Sequence, residues 1–196
     1  SSDIITKRGF VNNFGIYFKN LNASGKNDDK YKSNIQTELL NINEISTKLP
    51  LIKNDKDNIN YITPKISFRF NPSDMKNYSS KSRYVSVDNI FNINRLGIGD
   101  SYESGKSITF GVDFKKENKE DDEKYFEIKL ASVIKDNKND KIPATSSLNR
   151  TSSNLFGSFE NSFSDFFSIN YNFVLDNDFN TFENNSIEAE FSVNNF

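Results

Sequence analysis

An antiparallel, all-β, membrane-embedded sheet is what this chain predicts, on three observations. Apolar and polar residues alternate through segment after segment, which is the side-chain period of a strand with two unlike faces. Aromatics dominate the apolar parity, since 19 Phe and 8 Tyr stand among 196 residues. Hydrophobic residues nevertheless make up only 35% of the chain, a share that in a soluble protein implies a thin core or partial disorder. A barrel wall escapes that conflict, because only every second residue of each strand is apolar and its loops are polar. The expected fold is therefore an antiparallel transmembrane β-barrel segment of about eight meander strands of a larger barrel, with 1–196 as one partial barrel domain.

The clearest strand covers residues 105–115, where Ile108, Phe110, Val112 and Phe114 share one parity and Ser107, Thr109, Gly111 and Asp113 the other. Earlier, residues 10–20 set Phe10, Phe14, Ile16 and Phe18 against Asn13, Gly15, Tyr17 and Lys19. A polar loop with Gly25 follows, then a second strand from Tyr31, in which Ile35, Thr37 and Leu39 alternate with Lys32, Asn34, Gln36 and Glu38 up to about Asn43. A connection is expected across 44–58, marked by Pro50. Residues 61–71 again alternate, with Pro64 near the start and Pro72 closing the strand. The irregular stretch up to residue 104 is long enough to be functional or disordered.

A charged turn over 115–124 leads to a strand at 125–134. Residues 135–153 form a second long polar loop. A hairpin follows, with Leu155, Gly157, Phe159 and Phe163 on one arm and Phe167, Ile169, Tyr171, Phe173 and Leu175 on the other. A loop at 176–184 precedes a last strand carrying Ile187, Ala189, Phe191 and Val193. Longer loops near 21–30, 72–104, 135–153 and 177–184 are expected at one end, with shorter turns near 44–58, 116–123 and 163–165 at the other, periplasmic one.

Composition removes whole classes of chemistry. With neither Cys nor His in the sequence, disulfides, thiolate metal sites, cysteine nucleophiles and histidine triads have no residues to build them. The 25 Lys and Arg balance 27 Asp and Glu, and no basic patch points to nucleic acid. No apolar run reaches the roughly 20 residues of a membrane-spanning helix, a length strands do not need. Asp176-Asn177-Asp178-Phe179-Asn180 lacks the glycine and distal glutamate of a calcium loop and reads as a solvated turn. Neither metal nor cofactor is expected. The start at Ser1-Ser2-Asp3, without Met or signal peptide, and the end within a strand-like pattern read as an excised piece.

The order of several segments carries a family resemblance. Ile62-Thr63-Pro64-Lys65-Ile66-Ser67-Phe68-Arg69-Phe70-Asn71-Pro72 leads through Ile90-Phe91-Asn92-Ile93-Asn94-Arg95-Leu96-Gly97-Ile98-Gly99-Asp100 to Glu103-Ser104-Gly105 and the strand at 108–114. With Ser146-Ser147-Leu148-Asn149-Arg150-Thr151-Ser152-Ser153-Asn154-Leu155-Phe156-Gly157, these resemble the C-terminal barrel domain of the LptD family over roughly 59–196. The resemblance implies an outer-membrane barrel of a Gram-negative bacterium that moves lipopolysaccharide into the outer leaflet and performs no covalent chemistry. It further implies a plug lipoprotein like LptE, a periplasmic bridge like LptA reached through an N-terminal jellyroll not recognised here, and contact with outer-membrane lipid.

On the polar parity, Lys65, Arg69, Asp113, Glu127, Lys129, Glu188 and Glu190 are the lumen-facing candidates, whether to contact a passing glycolipid or simply to be solvated. Asn94, Arg95 and Asp100 form the signature of the long loop and are expected to lock it over the lumen by charge-assisted hydrogen bonds rather than to touch substrate. Two other architectures fit the alternation. One is a porin or receptor barrel, and the other is a soluble β-sandwich that binds carbohydrate or surface partners, whose phenylalanines would be buried between two sheets.

Overall fold

The computed structural model describes residues 3–27 and 33–192. Its strands are β1 (Ile4–Ile5), β2 (Val11–Ala23), β3 (Gln36–Lys48), β4 (Leu51–Asn54), β5 (Asn58–Asn71), β6 (Gly105–Asn118), β7 (Tyr125–Lys135), β8 (Leu155–Ser164), β9 (Phe167–Leu175) and β10 (Phe182–Phe191). All belong to one 10-stranded sheet in the order β1-β2-β3-β5-β6-β7-β8-β9-β10, with β4 paired to β5. Every pairing is antiparallel and, apart from β3 with β5 across the short β4, joins chain neighbours, so the sheet is a meander with β1 and β10 as its unclosed edges.

The alternation seen in the sequence becomes two faces. Phe14 and Phe18 on β2, Phe68 on β5 and Phe110 on β6 are 54%, 66%, 41% and 42% exposed. No second sheet lies over them among the described residues, which rules against the sandwich and fits a wall whose outer face meets hydrocarbon. Register keeps the faces pure: Phe68 lies opposite Ile108 and Ile108 opposite Ile134. On the other parity Arg69 lies opposite Ser107, which faces Lys135. A slip of one residue would exchange the two sets.

One expected connection is mostly strand. Instead of ending near Asn43, β3 continues to Lys48, because Ile45 and Thr47 maintain the alternation. Lys48 pairs with Lys65 and Leu51 with Ile62, so β4 resumes in the same register after an interruption at Leu49 and Pro50. Pro50 removes one donor from the ladder without redirecting the chain. Leu49 still donates its N–H to the Pro64 carbonyl at 3.0 Å, and the turn proper shrinks to residues 55–57. Pro64 consequently sits inside β5 rather than near its start. Tyr31 and Lys32 of the second expected strand and Val193 of the last lie outside the described residues. The last strand begins at Phe182, shortening its preceding loop.

The dry core lies between the polar face and two loops that fold onto it. Met75, Tyr78, Val85, Val87, Ile90, Leu96 and Ile98 of the β5–β6 loop pack with Ile142 and Leu148 of the β7–β8 loop over Ala131, Val133 and Phe156. Full burial of each large apolar side chain contributes about 1.5–3 kcal/mol, against the entropy of ordering so long a loop. The loops also hold each other: Tyr78 N–H donates to the Lys141 carbonyl at 2.8 Å, and the Thr145 hydroxyl both accepts from Arg83 N–H and donates to Arg83 O, each at 2.9 Å.

Candidate functional site

The β5–β6 loop is fixed to the sheet by a buried ionic network. Arg95 clamps the Glu103 carboxylate with two parallel bonds, from Nε at 2.7 Å and Nη2 at 2.8 Å. Its Nη1 reaches Thr109 Oγ1 at 2.9 Å and its Nη2 Ser107 Oγ at 3.2 Å, both on the polar parity of β6. Lys135 at the end of β7 completes the cluster, with Nζ 2.8 Å from Glu103 Oε1 and donating to the Leu148 carbonyl at 3.1 Å. One carboxylate thus joins the first loop, the second loop and two strands. A planar fork gives such a joint direction as well as strength.

Burial would raise the Glu103 carboxyl, but the charges of Arg95 and then Lys135 outweigh it and hold the group well below the ordinary carboxylate range. Arg69 on β5 adds a second tether, donating from Nη2 to the Asn92 carbonyl at 2.7 Å and lying 3.4 Å from Glu44 Oε2 on β3. Asn71 donates from Nδ2 to the Glu103 carbonyl at 3.0 Å. Above Gly111 the Phe91 ring comes so close that an added Cβ would lie 3.1 Å from it and 2.7 Å from the Leu130 carbonyl. Only glycine admits that approach.

The three signature residues do separate jobs. Asn94 shapes the loop locally, its side chain accepting from Ile98 N–H at 3.1 Å and donating to Ile98 O at 3.0 Å around Gly97, whose φ is +62°. Arg95 anchors, and its acidic partner is Glu103 rather than Asp100. Asp100 instead accepts from the Tyr78 hydroxyl and lies 3.9 Å from Lys76 Nζ. Burial and that bond push the Tyr78 hydroxyl up to about 12.

The strand-borne candidates divide in two. Lys65 pairs with Asp113 at 2.8 Å and lies 4.8 Å from the centre of the Phe91 ring. Lys129 pairs with Glu127 at 2.8 Å and with Asp88 of the loop at 3.8 Å. Arg69 is buried under the loop. Glu188 and Glu190 sit on the exposed β10, opposite Asn170 and Ser168, and form no ion pair with a described residue. In the β9–β10 turn, Asp176 Oδ1 accepts from Asn180 N–H at 2.7 Å and Thr181 N–H at 3.2 Å, so that carboxylate closes a turn.

Glu103, Lys135 and Tyr78 escaped the reading of the sequence. The available signal lay on the supposedly wet parity, where Ala131 and Val133 precede Lys135 and Phe156 lies opposite Ala131. Apolar residues on that parity mark the part of the face that a loop covers. A charged residue at its margin is then a candidate tether.

A family model described as LPS transport system D, LptD, matches residues 19–196, which include every strand from β3 onward and both inward-folded loops. The chain belongs to the LptD family. Among curated proteins no match was found. Membership makes this all-β antiparallel sheet a segment of an outer-membrane β-barrel of LPS transport. LptD proteins are transport and assembly components of the Gram-negative outer membrane, and their partners are LPS and other Lpt proteins. The tethers Arg69, Arg95, Glu103 and Lys135 all fall inside the matched span.

Proposed function

We propose that this segment is an interior arc of the LPS translocon that inserts lipopolysaccharide into the outer leaflet, forming both a stretch of its wall and a cap folded into its lumen. One observation carries this reading: apolar side chains stand exposed on one face while the opposite face buries charged tethers beneath two loops. In a bilayer the exposed rings meet hydrocarbon, and backbone polar groups are satisfied strand to strand because lipid offers no partners.

The polar face is the lumen, with Lys65, Asp113, Glu127, Lys129, Glu188 and Glu190 lining it and Arg69 holding the cap. Lys65–Asp113 and Lys129–Glu127 neutralise each other along the wall. A charged glycolipid then passes hydrated pairs rather than a strong trap, as a conduit requires. The loop end faces the cell exterior and the short turns face the periplasm. A plug lipoprotein like LptE occupies the lumen, and a bridge like LptA delivers substrate through the periplasmic domain of the full-length protein. The work is transport and involves no bond making at this segment.

Depleting the full-length protein in cells and measuring surface LPS by intact-cell labelling tests this. Surface LPS is expected to fall while LPS accumulates behind the outer membrane; undiminished surface LPS rejects the assignment.

A further inference from the structure

Beside the cap, the polar face holds a crevice that the tethering network does not use. Its volume is about 250 Å³, and it lies between residues 84–88 of the β5–β6 loop and the polar face of β9 and β10. The side chains bordering it include Tyr84, Ser86, Asp88, Asn172, Asn184 and Ser186. Val85 is buried in the loop core against which Val174 packs, so the crevice wall is seated on β9.

Three features define its chemistry. Tyr84 is 63% exposed, leaving an aromatic surface open at the rim. The amides of Asn172 and Asn184 border it, Asn172 donating from Nδ2 to Asn170 Oδ1 at 3.2 Å. Third, the described residues lining the crevice include no Lys or Arg, and their only charge is Asp88, which faces Lys129. Anions are therefore disfavoured, whereas a neutral ligand rich in hydroxyl donors is matched.

We propose that this crevice binds one uncharged hexopyranose unit of a glycan carried by the transported lipid. The inference rests on the translocon reading and adds a subsite to it. At about 30 Å³ per water, the space equals roughly eight waters, enough for a single sugar ring with its hydroxyls and too little for a chain. A pyranose has an apolar C–H face to lie on Tyr84 and hydroxyls to exchange hydrogen bonds with Ser86, Asn184 and Ser186. The phosphorylated part of the glycolipid finds no cation here and passes elsewhere.

Saturation-transfer NMR on the full-length protein in detergent, with methyl glucoside, methyl galactoside and methyl mannoside as probes, tests the site. At least one is expected to receive saturation, falling at least fivefold in Tyr84→Ala and in Asn184→Leu and surviving in Tyr84→Phe. Both changed side chains are at or near the surface, and retained heat-modifiable migration certifies the barrel. Equal transfer in all variants, none in the wild type, or stronger transfer to glucose 6-phosphate than to methyl glucoside overturns the proposal. A photo-cross-linker at position 84 then fixes the source: capture of complete LPS in cells supports a lipid-borne sugar, and capture of free polysaccharide alone overturns that part. Absent sugar binding with normal LPS depletion effects refutes the subsite only. Sugar binding with undiminished surface LPS on depletion refutes the translocon reading instead.

Discussion

The two faces of this sheet reverse the usual distribution of side chains. On one, Phe14, Phe18, Phe68 and Phe110 stand in the open; on the other, Arg69 and Lys135 are buried together with Arg95 and Glu103 of the loop that covers them. The difference teaches that burial follows what covers a face rather than the polarity of its residues. Hydrocarbon covers the first, and two loops cover part of the second. Lipid tolerates exposed rings without cost, whereas the loops must bring a partner for every charge they enclose.

The comparison breaks most severely at Glu103. Glu103→Ala leaves Arg95 and Lys135 buried without their shared anion, a change expected to cost about 3–5 kcal/mol. Hydrogen exchange on the full-length protein should show faster exchange across residues 84–104, with β5 and β6 still protected. Next comes the outer face, where Phe110→Arg near the middle of β6 should destabilise insertion into lipid vesicles by about 2–4 kcal/mol. Asn170→Arg, on the uncovered polar face, puts its charge in water and should change it far less. Equal penalties at both positions would erase the distinction between faces.

Acid sharpens the comparison further. Because Glu103 is held below its ordinary value of 4.5, it contributes stability above that pH and loses it only as pH falls toward the lowered folded value. Protection of the loop, taken relative to the intrinsic exchange rate at each pH, should therefore hold at pH 5 and fall progressively below about 4. Tyr78→Phe removes a hydrogen bond to ionised Asp100 and should cost about 1.5–3 kcal/mol, read as raised protease sensitivity of the loop. Least of all, Lys53→Ala breaks a pair with Asp55 whose side chains are 76% and 45% exposed; under 1 kcal/mol is expected in chemical denaturation.

Much of the wall was legible in the sequence because a period of two needs no tertiary information. Strands β2, β5, β6, β7, β8 and β9 stand within a few residues of where alternation places them. Pro50 misled, since a proline reads as a break although it costs a strand only one donor, and the unbroken register shows the chain passing through. The short β1 carries too few residues to show any period. The cap was half legible. Arg95 stands out in a polar loop, but its partner depends on where the chain returns, and along the sequence Asp100 lies nearer to it than Glu103. Tertiary geometry chose Glu103, beside Ser107 and Thr109. Lys135 joins from a different strand, a contact no local pattern announces.

The central claim is that β6 separates hydrocarbon from an aqueous interior. Spin labels placed singly at 108, 110, 112, 113, 114, 115 and 117 in the full-length protein, reconstituted in bilayers, test it through collision with oxygen and with a water-soluble nickel chelate. Labels at 108, 110, 112 and 114 should be reached by oxygen and spared by nickel, while those at 113, 115 and 117, on the polar parity beyond the loop's anchor points, should show no such preference for oxygen. A uniform profile, or oxygen-poor labels at the phenylalanine positions, would contradict it.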